Sequence, residues 1–323
     1  MLRPLSSILE SRRKELVQIY EDVAAGIPII SSIPTGIKSF DDYGVGTPGF
    51  LTLVQAHPGD GKTPPPKQPP TNTTNQGYRP QAHIFEDPEE YFADGLFARE
   101  LDVSAYKLRR GDLKGDIIPR LDAAMRDMSW AGGVLINTEK NGYREIIEEI
   151  ADTVKVDTGF FAVDYAQLFD AEMDEKSVER ILSRLAEGLS KVCKDKRIAG
   201  FLFSQIKNEV EQRGRKHYDA CLWAARKEGN GKENDPEPFW VEGYRPLSND
   251  AQWCNAMYQK CKDILSWFRP GNWMKKHGWV DWPDNTGELL RVKGNYTPGG
   301  YPVRVRWKGE TTTISDFPPS KKK

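Results

Sequence analysis

A glycine-rich stretch directly behind an apolar run is the feature that most constrains the fold of this chain. Residues 56–63 read Ala-His-Pro-Gly-Asp-Gly-Lys-Thr, and residues 49–55 before them are mostly apolar. A buried strand that feeds a loop of the form [A/G]-x-x-x-x-G-K-T is the setting of a P-loop. The sequence therefore predicts an α/β fold that binds a nucleoside triphosphate at the carboxyl end of this strand.

Each part of the loop has a task toward a triphosphate. Backbone N–H groups cradle phosphate oxygens, Lys62 reaches the β- and γ-phosphates, and the Thr63 hydroxyl holds Mg²⁺. ATP and Mg²⁺ are therefore the expected ligands. The residues predicted to line the nucleotide are Ala56, His57, Pro58, Gly59, Asp60, Gly61, Lys62 and Thr63.

The stretch behind the loop conflicts with the helix that should follow it. Residues 64–66 are prolines, and Pro69 and Pro70 fall deeper, where each proline costs ~3 kcal/mol or more in a helix. Two explanations stay open. One is a compensated frameshift over residues 64–76, which resequencing of the coding DNA tests. The other is a genuine Pro-rich segment over 64–81 that impairs nucleotide binding.

Composition fits a water-soluble globular protein. The chain has 323 residues, 38% of them apolar and 29% charged, and a net charge of −1, so no overall basic field indicates nucleic acid. The four cysteines form no CxxC pair, and we expect reduced thiols in a cytoplasmic protein. No apolar run reaches the ~18 residues of a membrane span, and no signal peptide is expected.

Apolar runs alternate with charged amphipathic runs along most of the chain. This alternation favours a mostly parallel central sheet flanked by helices. From about residue 262 to 317, Trp, Tyr and Val with frequent turn signals predict C-terminal antiparallel hairpins. The other predicted elements are helices at 5–24, 89–101, 120–128, 143–154 and 176–194, strands at 82–85, 133–137, 159–164 and 198–205, and a mobile loop at 226–246.

Polar residues close three of the predicted strands. Asp164 can hold Mg²⁺ beside Thr63, although an ordinary turn aspartate is the alternative. Glu86 can polarise the water that attacks the γ-phosphate, but the whole run 86–90 is acidic, so its neighbours remain candidates. Gln205 can contact the γ-phosphate and report its loss to the loop that follows.

Together these residues resemble the RecA-like motor domain of the DnaB-type replicative helicases, over about residues 28–310. The segments Asp-Tyr-Ala-Gln-Leu at 164–168 and Ser-Gln at 204–205 with Glu-Gln-Arg at 211–213 carry the resemblance most specifically. Residues 258–270 look closer to the phage and mitochondrial branch. The resemblance implies a linker helix over 1–27, a RecA-like ATPase domain over 28–317 and a basic tail over 318–323.

The resemblance also implies roles for individual residues. Glu86 takes the position of the catalytic glutamate and Gln205 that of the sensor. A basic pair that reaches into the neighbouring subunit's site matches Arg291 and Lys293, although the order of the two is reversed from the usual Lys-x-Arg. Such a trans contact implies a ring, expected to be a hexamer. A cationic strand on a solvated hairpin is the alternative for this pair.

DNA contacts are implied for loops that line the channel of such a ring. The expected residues are Lys207, Arg213, Arg215, Lys216 and Gln252. Gln252 stands where the family's second DNA loop usually has arginine, and a solvated charge run is the alternative for Arg215 and Lys216. Near-zero net charge is no objection, because a ring multiplies a few phosphate contacts per subunit.

The implied function is an ATP-dependent DNA helicase of DNA replication that moves 5′ to 3′ on single-stranded DNA. Expected partners are copies of itself and a primase or loader, in the host cytoplasm if a phage encodes it. The sequence before residue 28 has no room for a collar or primase domain, which puts primase coupling in doubt. The alternatives are a non-helicase RecA-like ATPase (a recombination mediator or loader) and a catalytically dead structural subunit.

Overall fold

A computed structural model describes residues 4–25, 32–33, 37–42, 44–57, 74, 78–86, 88–139, 142–155, 158–164, 175–227, 243–247, 250, 255–277, 285–294, 302–311 and 313–316. The strands within these ranges are β1 (Leu51–Ala56), β2 (Gln81–Ile84), β3 (Leu135–Asn137), β4 (Phe160–Asp164), β5 (Ala199–Gln205), β6 (Asp263–Phe268), β7 (Thr286–Lys293), β8 (Val303–Lys308) and β9 (Thr313–Asp316). The α-helices are α1 (Leu5–Ala24), α2 (Lys38–Asp41), α3 (Glu89–Glu100), α4 (Ala105–Arg110), α5 (Ile118–Asp127), α6 (Tyr143–Thr153), α7 (Glu175–Lys196), α8 (Glu209–Lys227), α9 (Asn255–Lys260) and α10 (Pro270–Lys276).

The described strands join into one sheet with two halves. Their order is β3-β2-β4-β5-β1-β6-β7-β8-β9. The strands from β3 to β6 run parallel, and β7, β8 and β9 add on in antiparallel pairing. The predicted mostly parallel sheet is confirmed. The predicted C-terminal antiparallel pairing is confirmed from β6 onward. The sequence did not predict that β6 also pairs in parallel with β1 on its other side.

The central parallel strands are buried on both faces, whereas the edge strand β3 is largely exposed. Every residue of β1 and β4 is buried, as expected when helices cover both sides of a parallel sheet. On one face α7 packs an apolar stripe against the sheet, and its members Val178, Ile181, Leu182, Leu185 and Leu189 are all buried, as the sequence predicted. The contact is close at Gly200, where an added Cβ would lie 2.6 Å from the Cys193 sulfur.

A second apolar cluster covers the opposite face and extends into the antiparallel half. Val54, Phe160 and Phe201 from the parallel strands share it with Trp267 and Trp307. The rings of Trp267 and Trp307 lie 5.6 Å apart. The same core therefore runs across the junction between the two halves, which makes the antiparallel half part of one folded body.

Two regions differ from the sequence-based expectation. Helix α8 continues to Lys227, where the sequence predicted a mobile loop from residue 226. Residues 228–242 lie outside the described residues, and residues 243–246 bond to the body of the domain.

None of the described helices is long and apolar enough to cross a membrane.

Candidate active site

Four neighbouring parallel strands bring the predicted site residues to one edge of the sheet. In the order β2-β4-β5-β1, Ile84 lies opposite Asp164 and Ala56 lies opposite Gln205. The carboxyl ends of these strands therefore face the same way, which is where open α/β sheets bind ligands. Glu86, Asp164, Gln205 and His57 each stand at or just beyond the end of one of these strands.

Asp164 and Glu86 differ in their exposure to water. Asp164 is buried, with 2% of its surface accessible, and its carbonyl accepts a hydrogen bond of 2.8 Å from the Phe85 N–H. This bond continues the pairing with β4 one residue past the end of β2. Glu86 therefore follows directly at the carboxyl edge of the sheet. Glu86 is exposed, which suits a carboxylate that must meet a water molecule.

The described acidic neighbours of Glu86 lie in a helix and not at a strand end. Glu89 and Glu90 form the exposed first turn of α3, where carboxylates stabilise the helix dipole. Pro88 precedes them as the N-cap, without a side-chain cap bond. Asp87 lies outside the described residues. Among the described carboxylates of this run, Glu86 is the one that stands between a strand end and a helix start.

The donor set fits Mg²⁺ and not a soft metal. Mg²⁺ takes one or two protein oxygens and keeps its other positions for phosphate oxygens and water. The buried Asp164 carboxylate at the strand edge is such a donor, and Thr63 is the predicted second one. Among the described residues, no group of three or more His, Cys, Asp or Glu side chains forms a metal site of its own.

At the stem of the P-loop, the His57 side chain is held by a hydrogen bond and a ring contact. His57 is 2% exposed, its Nε2 lies 3.1 Å from the Tyr244 carbonyl oxygen, and its ring meets the Trp273 ring edge-on at 4.7 Å. Burial lowers the pKa of His57 to about 4, so the neutral ring donates from Nε2. His57 can therefore offer a nucleotide only its backbone; residues 58–63 lie outside the described residues.

The sensor strand ends beside the P-loop stem. Gln205 closes β5, is half-buried and pairs in register with Ala56. The Ser204 hydroxyl donates to the Gln205 carbonyl at 3.1 Å. A γ-phosphate held by the P-loop would lie next to this strand end. The sensor role of Gln205 stays a prediction, supported by its place.

Arg291 and Lys293 are both engaged within their own subunit. Arg291 Nη2 lies 2.6 Å from Asp263 Oδ1, with both side chains about 5% exposed or less. The Lys293 ammonium donates to the carbonyls of Tyr258 (2.5 Å) and Cys261 (2.9 Å). Neither cation projects from the subunit in this structure. A trans role for either one stays a prediction, and for Arg291 it would require release from Asp263.

The predicted DNA contacts fall into two groups. Arg215 and Lys216 are exposed on α8, and Lys207 is half-buried at the end of β5. Arg213 pairs with Asp250 at 2.9 Å while 36% of its side chain is exposed, and its contact with DNA stays a prediction. Gln252 lies outside the described residues, as does most of the Pro-rich segment, of which Gln81 already belongs to β2.

Two residues at the site were missed from the sequence. Gln55 is fully buried in β1 and donates to the Leu247 carbonyl and the Ser266 hydroxyl, both at 2.7 Å. A polar residue within an otherwise apolar strand was the available signal. Asp250 accepts from Arg213 across 37 residues of sequence, and no local pattern marks it.

The fold and the site together define a RecA-like P-loop NTPase domain. The chain matches the model of the DnaB-like helicase C-terminal domain over residues 32–220. Since this is more than half of its length, the chain belongs to the DnaB-like helicase C-terminal domain family. The sequence-based assignment to this family is confirmed.

Solved structures support the same fold. A DnaB-like replicative helicase, solved with its interactions with primase, superposes with a TM-score of 0.72 at 18% identity and covers 94% of this chain. The chain spans 66% of that structure. A second solved structure, an ATPase domain, gives 0.74 at 18% identity, covering 95% of this chain and 98% of that one. The RadB recombinase gives 0.52 at 14% identity, covering 88% and 100%. No curated protein matches the sequence.

Proposed function

We propose that this chain is the ATP-hydrolysing motor of a ring-forming DNA helicase that acts in replication. The observation that carries the proposal is the shared strand edge, where Glu86, Asp164, Gln205 and the P-loop stem stand on four adjacent strands. Membership in the DnaB-like helicase family gives this edge its expected reaction.

The proposed chemistry is hydrolysis of the γ-phosphoanhydride bond of ATP. Lys62 and the loop amides hold the phosphates, while Thr63 and Asp164 provide the oxygen ligands for Mg²⁺. Bound Mg²⁺ would neutralise charge on the β- and γ-phosphate oxygens. Glu86 orients a water molecule and accepts its proton as the water oxygen attacks the γ-phosphorus, and the bond to the ADP oxygen breaks.

An exposed apolar face on α1 supports assembly into a ring. Leu9 is 61% and Tyr20 74% exposed, and Leu5, Ile8 and Leu16 lie with them. A salt bridge of 3.3 Å from Arg197 to Glu15 ties the helix to its own domain but leaves this face open to water. Apolar patches of this kind mark interaction sites, and the resemblance implies that the helix packs on an adjacent copy.

A groove between α3 and the edge strand β3 is the proposed receiving site for apolar side chains of such a helix. It has a volume of about 370 Å³ and is lined by Phe92, Ala93, Leu96 and Ile136, and also by Glu89 and Glu90. Leu9→Glu and Ile136→Glu should each reduce the assembled fraction, as measured by mass photometry. Lys14→Glu, which reverses a charge on the exposed polar part of α1, should leave assembly intact.

Strand displacement tests the helicase function directly. With ATP and Mg²⁺, the chain should unwind duplexes that carry a 5′ single-stranded tail, including forked substrates. It should fail on duplexes that carry only a 3′ tail. Hydrolysis without unwinding would favour the second candidate, a non-helicase RecA-like DNA-dependent ATPase. The observation in favour of that candidate is Gln252, which replaces the arginine of the family's second DNA loop.

The Pro-rich segment sets a further condition on activity. Residues 64–73 and 75–77 lie outside the described residues, so the frameshift over 64–76 stays a hypothesis that resequencing decides. If the printed residues are genuine, the nucleotide affinity should be reduced. A variant in which residues 64–76 carry the helix-compatible reading frame should then bind ATP more tightly than the chain as printed.

A further inference from the structure

A short segment near residue 245 is bonded to the stem of the P-loop. We define residues 243–247 together with Asp250 as the connector segment. Its Tyr244 carbonyl accepts from the His57 ring at 3.1 Å, and its Leu247 carbonyl accepts from Gln55 at 2.7 Å. Both donors lie within two residues of Ala56, where β1 ends. The connector segment therefore holds the strand end from which the nucleotide loop departs.

The same segment is bonded to the chain that leaves β5. The Lys207 N–H donates to the Asp250 carbonyl at 2.8 Å. The Arg213 guanidinium meets the Asp250 carboxylate through two parallel bonds of 3.0 and 2.9 Å. One carboxylate oxygen also accepts from the Leu247 N–H at 2.6 Å. We call the Arg213–Asp250 pair the clamp; a two-pronged charged pair of this kind fixes orientation as well as distance.

Arg213 reaches the connector segment at further points. It donates to the carbonyls of Gly243 at 3.2 Å and of Arg245 at 2.8 Å. Beside it, α8 lies so close to the segment that a Cβ on Gly214 would collide with the Tyr244 ring. Helix α8 and the segment therefore move as one unit while the clamp holds.

The other end of the segment is fixed to the antiparallel half. Arg245 forms a two-pronged pair of 2.9 and 3.0 Å with Glu288 of β7, and Glu288 is 2% exposed. The segment thus has anchors on β1, on α8 and on β7. Of these anchors, only the clamp joins it by charge to the helix that carries Arg215 and Lys216.

We propose that Asp250 is a positioning residue that, through Arg213, couples the P-loop stem to helix α8. Breaking the clamp at Asp250 then weakens the connection between the P-loop stem and α8, while the Arg213 bonds to the Gly243 and Arg245 carbonyls remain, and it removes no group that touches ATP. The link from α8 onward to DNA rests on the proposed function, while the link from Asp250 to the P-loop stem does not. The alternative is that the clamp braces the fold locally and passes nothing to His57.

The first test reads the pKa of the His57 imidazole by NMR in two matched variants. Asp250→Asn keeps the side-chain shape and removes one negative charge. Glu211→Gln removes one negative charge from α8, the helix that carries Arg213. Glu211 pairs with Lys276 at 3.5 Å, and both side chains are more than half exposed. Burial is the largest cause and lowers the pKa of His57, and Lys276 lowers it as well. The bond to the Tyr244 carbonyl and the carboxylates of Asp250 and Glu211 raise it.

The direction of the change separates the two explanations. Loss of charge alone would lower the pKa of His57 in both variants. Release of the connector segment would let water reach the ring, and the pKa would rise from about 4 toward the ordinary value of ~6.5. We expect a rise of about one unit or more in Asp250→Asn and none in Glu211→Gln. A fall in both variants would overturn the proposal.

A second variant protects this test against misfolding. Arg213→Lys keeps the positive charge but cannot form the two-pronged pair. It should also raise the pKa of His57, and an unchanged pKa in a folded Arg213→Lys protein would contradict the coupling. These titrations need no nucleotide or DNA, so they decide the link to the P-loop stem even if the chain has no ATPase activity.

The second test measures hydrolysis with and without single-stranded DNA. Couplings between sites typically amount to ~5-fold or more, so Asp250→Asn should lose about fivefold or more of the ratio between DNA-stimulated and basal rates. Glu211→Gln should keep that ratio. A raised pKa of His57 together with an unchanged ratio would overturn the coupling to α8. Failure of the wild-type chain to hydrolyse ATP would count against the proposed function alone.

Discussion

The two halves of the sheet use their charged residues in opposite ways. In the parallel half, the charged groups stand at or just beyond the strand ends, as with Glu86 and Asp164. Buried polar residues within these strands, such as Gln55 and His83, are neutral at pH 7. In the antiparallel half, Arg291 and Glu288 lie within β7, at 6% and 2% exposure, and each has a partner of opposite charge in its own subunit. The charges at the carboxyl ends of β2 and β4 are the candidates for chemistry, whereas the charges within β7 are paired inside the fold.

The burial patterns give the physical reason for this difference. The central parallel strands are covered on both faces, so a charged side chain is tolerated mainly where the strand stops. Strand β8 has one wet face, with Val305 and Trp307 inward and Arg304, Arg306 and Lys308 outward. Where charge does enter the buried part of β7, an unpaired ion would cost several kcal/mol, so it is paired.

The largest predicted effect concerns the strand end of β2. Glu86→Gln should lower the rate of ATP hydrolysis by about 10²–10⁴-fold, the usual contribution of a positioned base, with little change in nucleotide affinity. Glu90→Gln, in the exposed first turn of α3, is the matched control and should stay close to wild type. Equal losses of hydrolysis rate in both variants would mean that the acidic residues act together and that Glu86 is not the specific base.

The next largest effect concerns the buried pair within the sheet. Arg291→Met leaves the Asp263 carboxylate buried without its partner and should lower the free energy of unfolding by about 3–5 kcal/mol. Arg304→Gln, whose pair with Glu288 at 4.0 Å is half exposed, should cost less than about 1 kcal/mol. Denaturant titration measures both. An Arg291→Met protein with full stability and lost hydrolysis would instead support a trans contact.

Two buried histidines in the parallel half should make the fold sensitive to acid. Burial lowers the pKa of His57 and of His83 to about 4, below the ~6.5 of the unfolded chain. The unfolded state therefore takes up protons first, and stability is present above about pH 6.5 and lost as the pH falls toward 4. Each histidine should cost about 2 kcal/mol between roughly pH 7 and pH 5.

The variant His83→Phe isolates one of these contributions. Its free energy of unfolding should vary by about 2 kcal/mol less between the two pH values than that of the wild type. Ile84→Val, which changes the neighbouring core position without a titrating group, should shift stability equally at both. An unaltered pH dependence in His83→Phe would show that the ring is not buried as a neutral group.

The smallest effect concerns Arg215, an exposed cation on α8, the helix that also carries the clamped Arg213. Arg215→Gln should weaken binding to single-stranded DNA and reduce the salt dependence of log K by about 0.7, one phosphate contact. Lys191→Gln on α7, exposed and far from the predicted channel, should change neither. Binding isotherms at several salt concentrations measure both. No change in slope for Arg215→Gln would leave α8 without a DNA contact at this position.

The strand-end residues could be predicted because they depend on local order. A P-loop behind an apolar run, with Asp164 and Gln205 closing later runs, needs only the rule that parallel strands end at one edge. The parallel pairing of β6 with β1 could not be predicted in this way. Trp, Tyr and Val with turn signals predicted antiparallel hairpins, which fits the pairing of β6 with β7. The burial of all six β6 residues is the pattern of a strand in the centre of a sheet.

The charged pairs were hidden for a related reason. Arg291 was predicted as a trans finger because its motif lies in the expected place, but Asp263 is 28 residues away along the chain. Arg213 was predicted to contact DNA, and its partner Asp250 is 37 residues away. Whether a cation projects or pairs depends on the tertiary partner, which residue type and spacing do not reveal.

Hydrolysis of ATP by the full chain, with Mg²⁺ and with or without single-stranded DNA, tests the central claim most directly. The matched protein is Lys62→Ala, which removes the phosphate-binding ammonium and leaves the sheet intact. The wild type should hydrolyse ATP, faster with DNA, and Lys62→Ala should be close to inactive. A wild-type rate no higher than that of Lys62→Ala, in both conditions, would contradict the claim that this strand edge is an ATP-hydrolysing site.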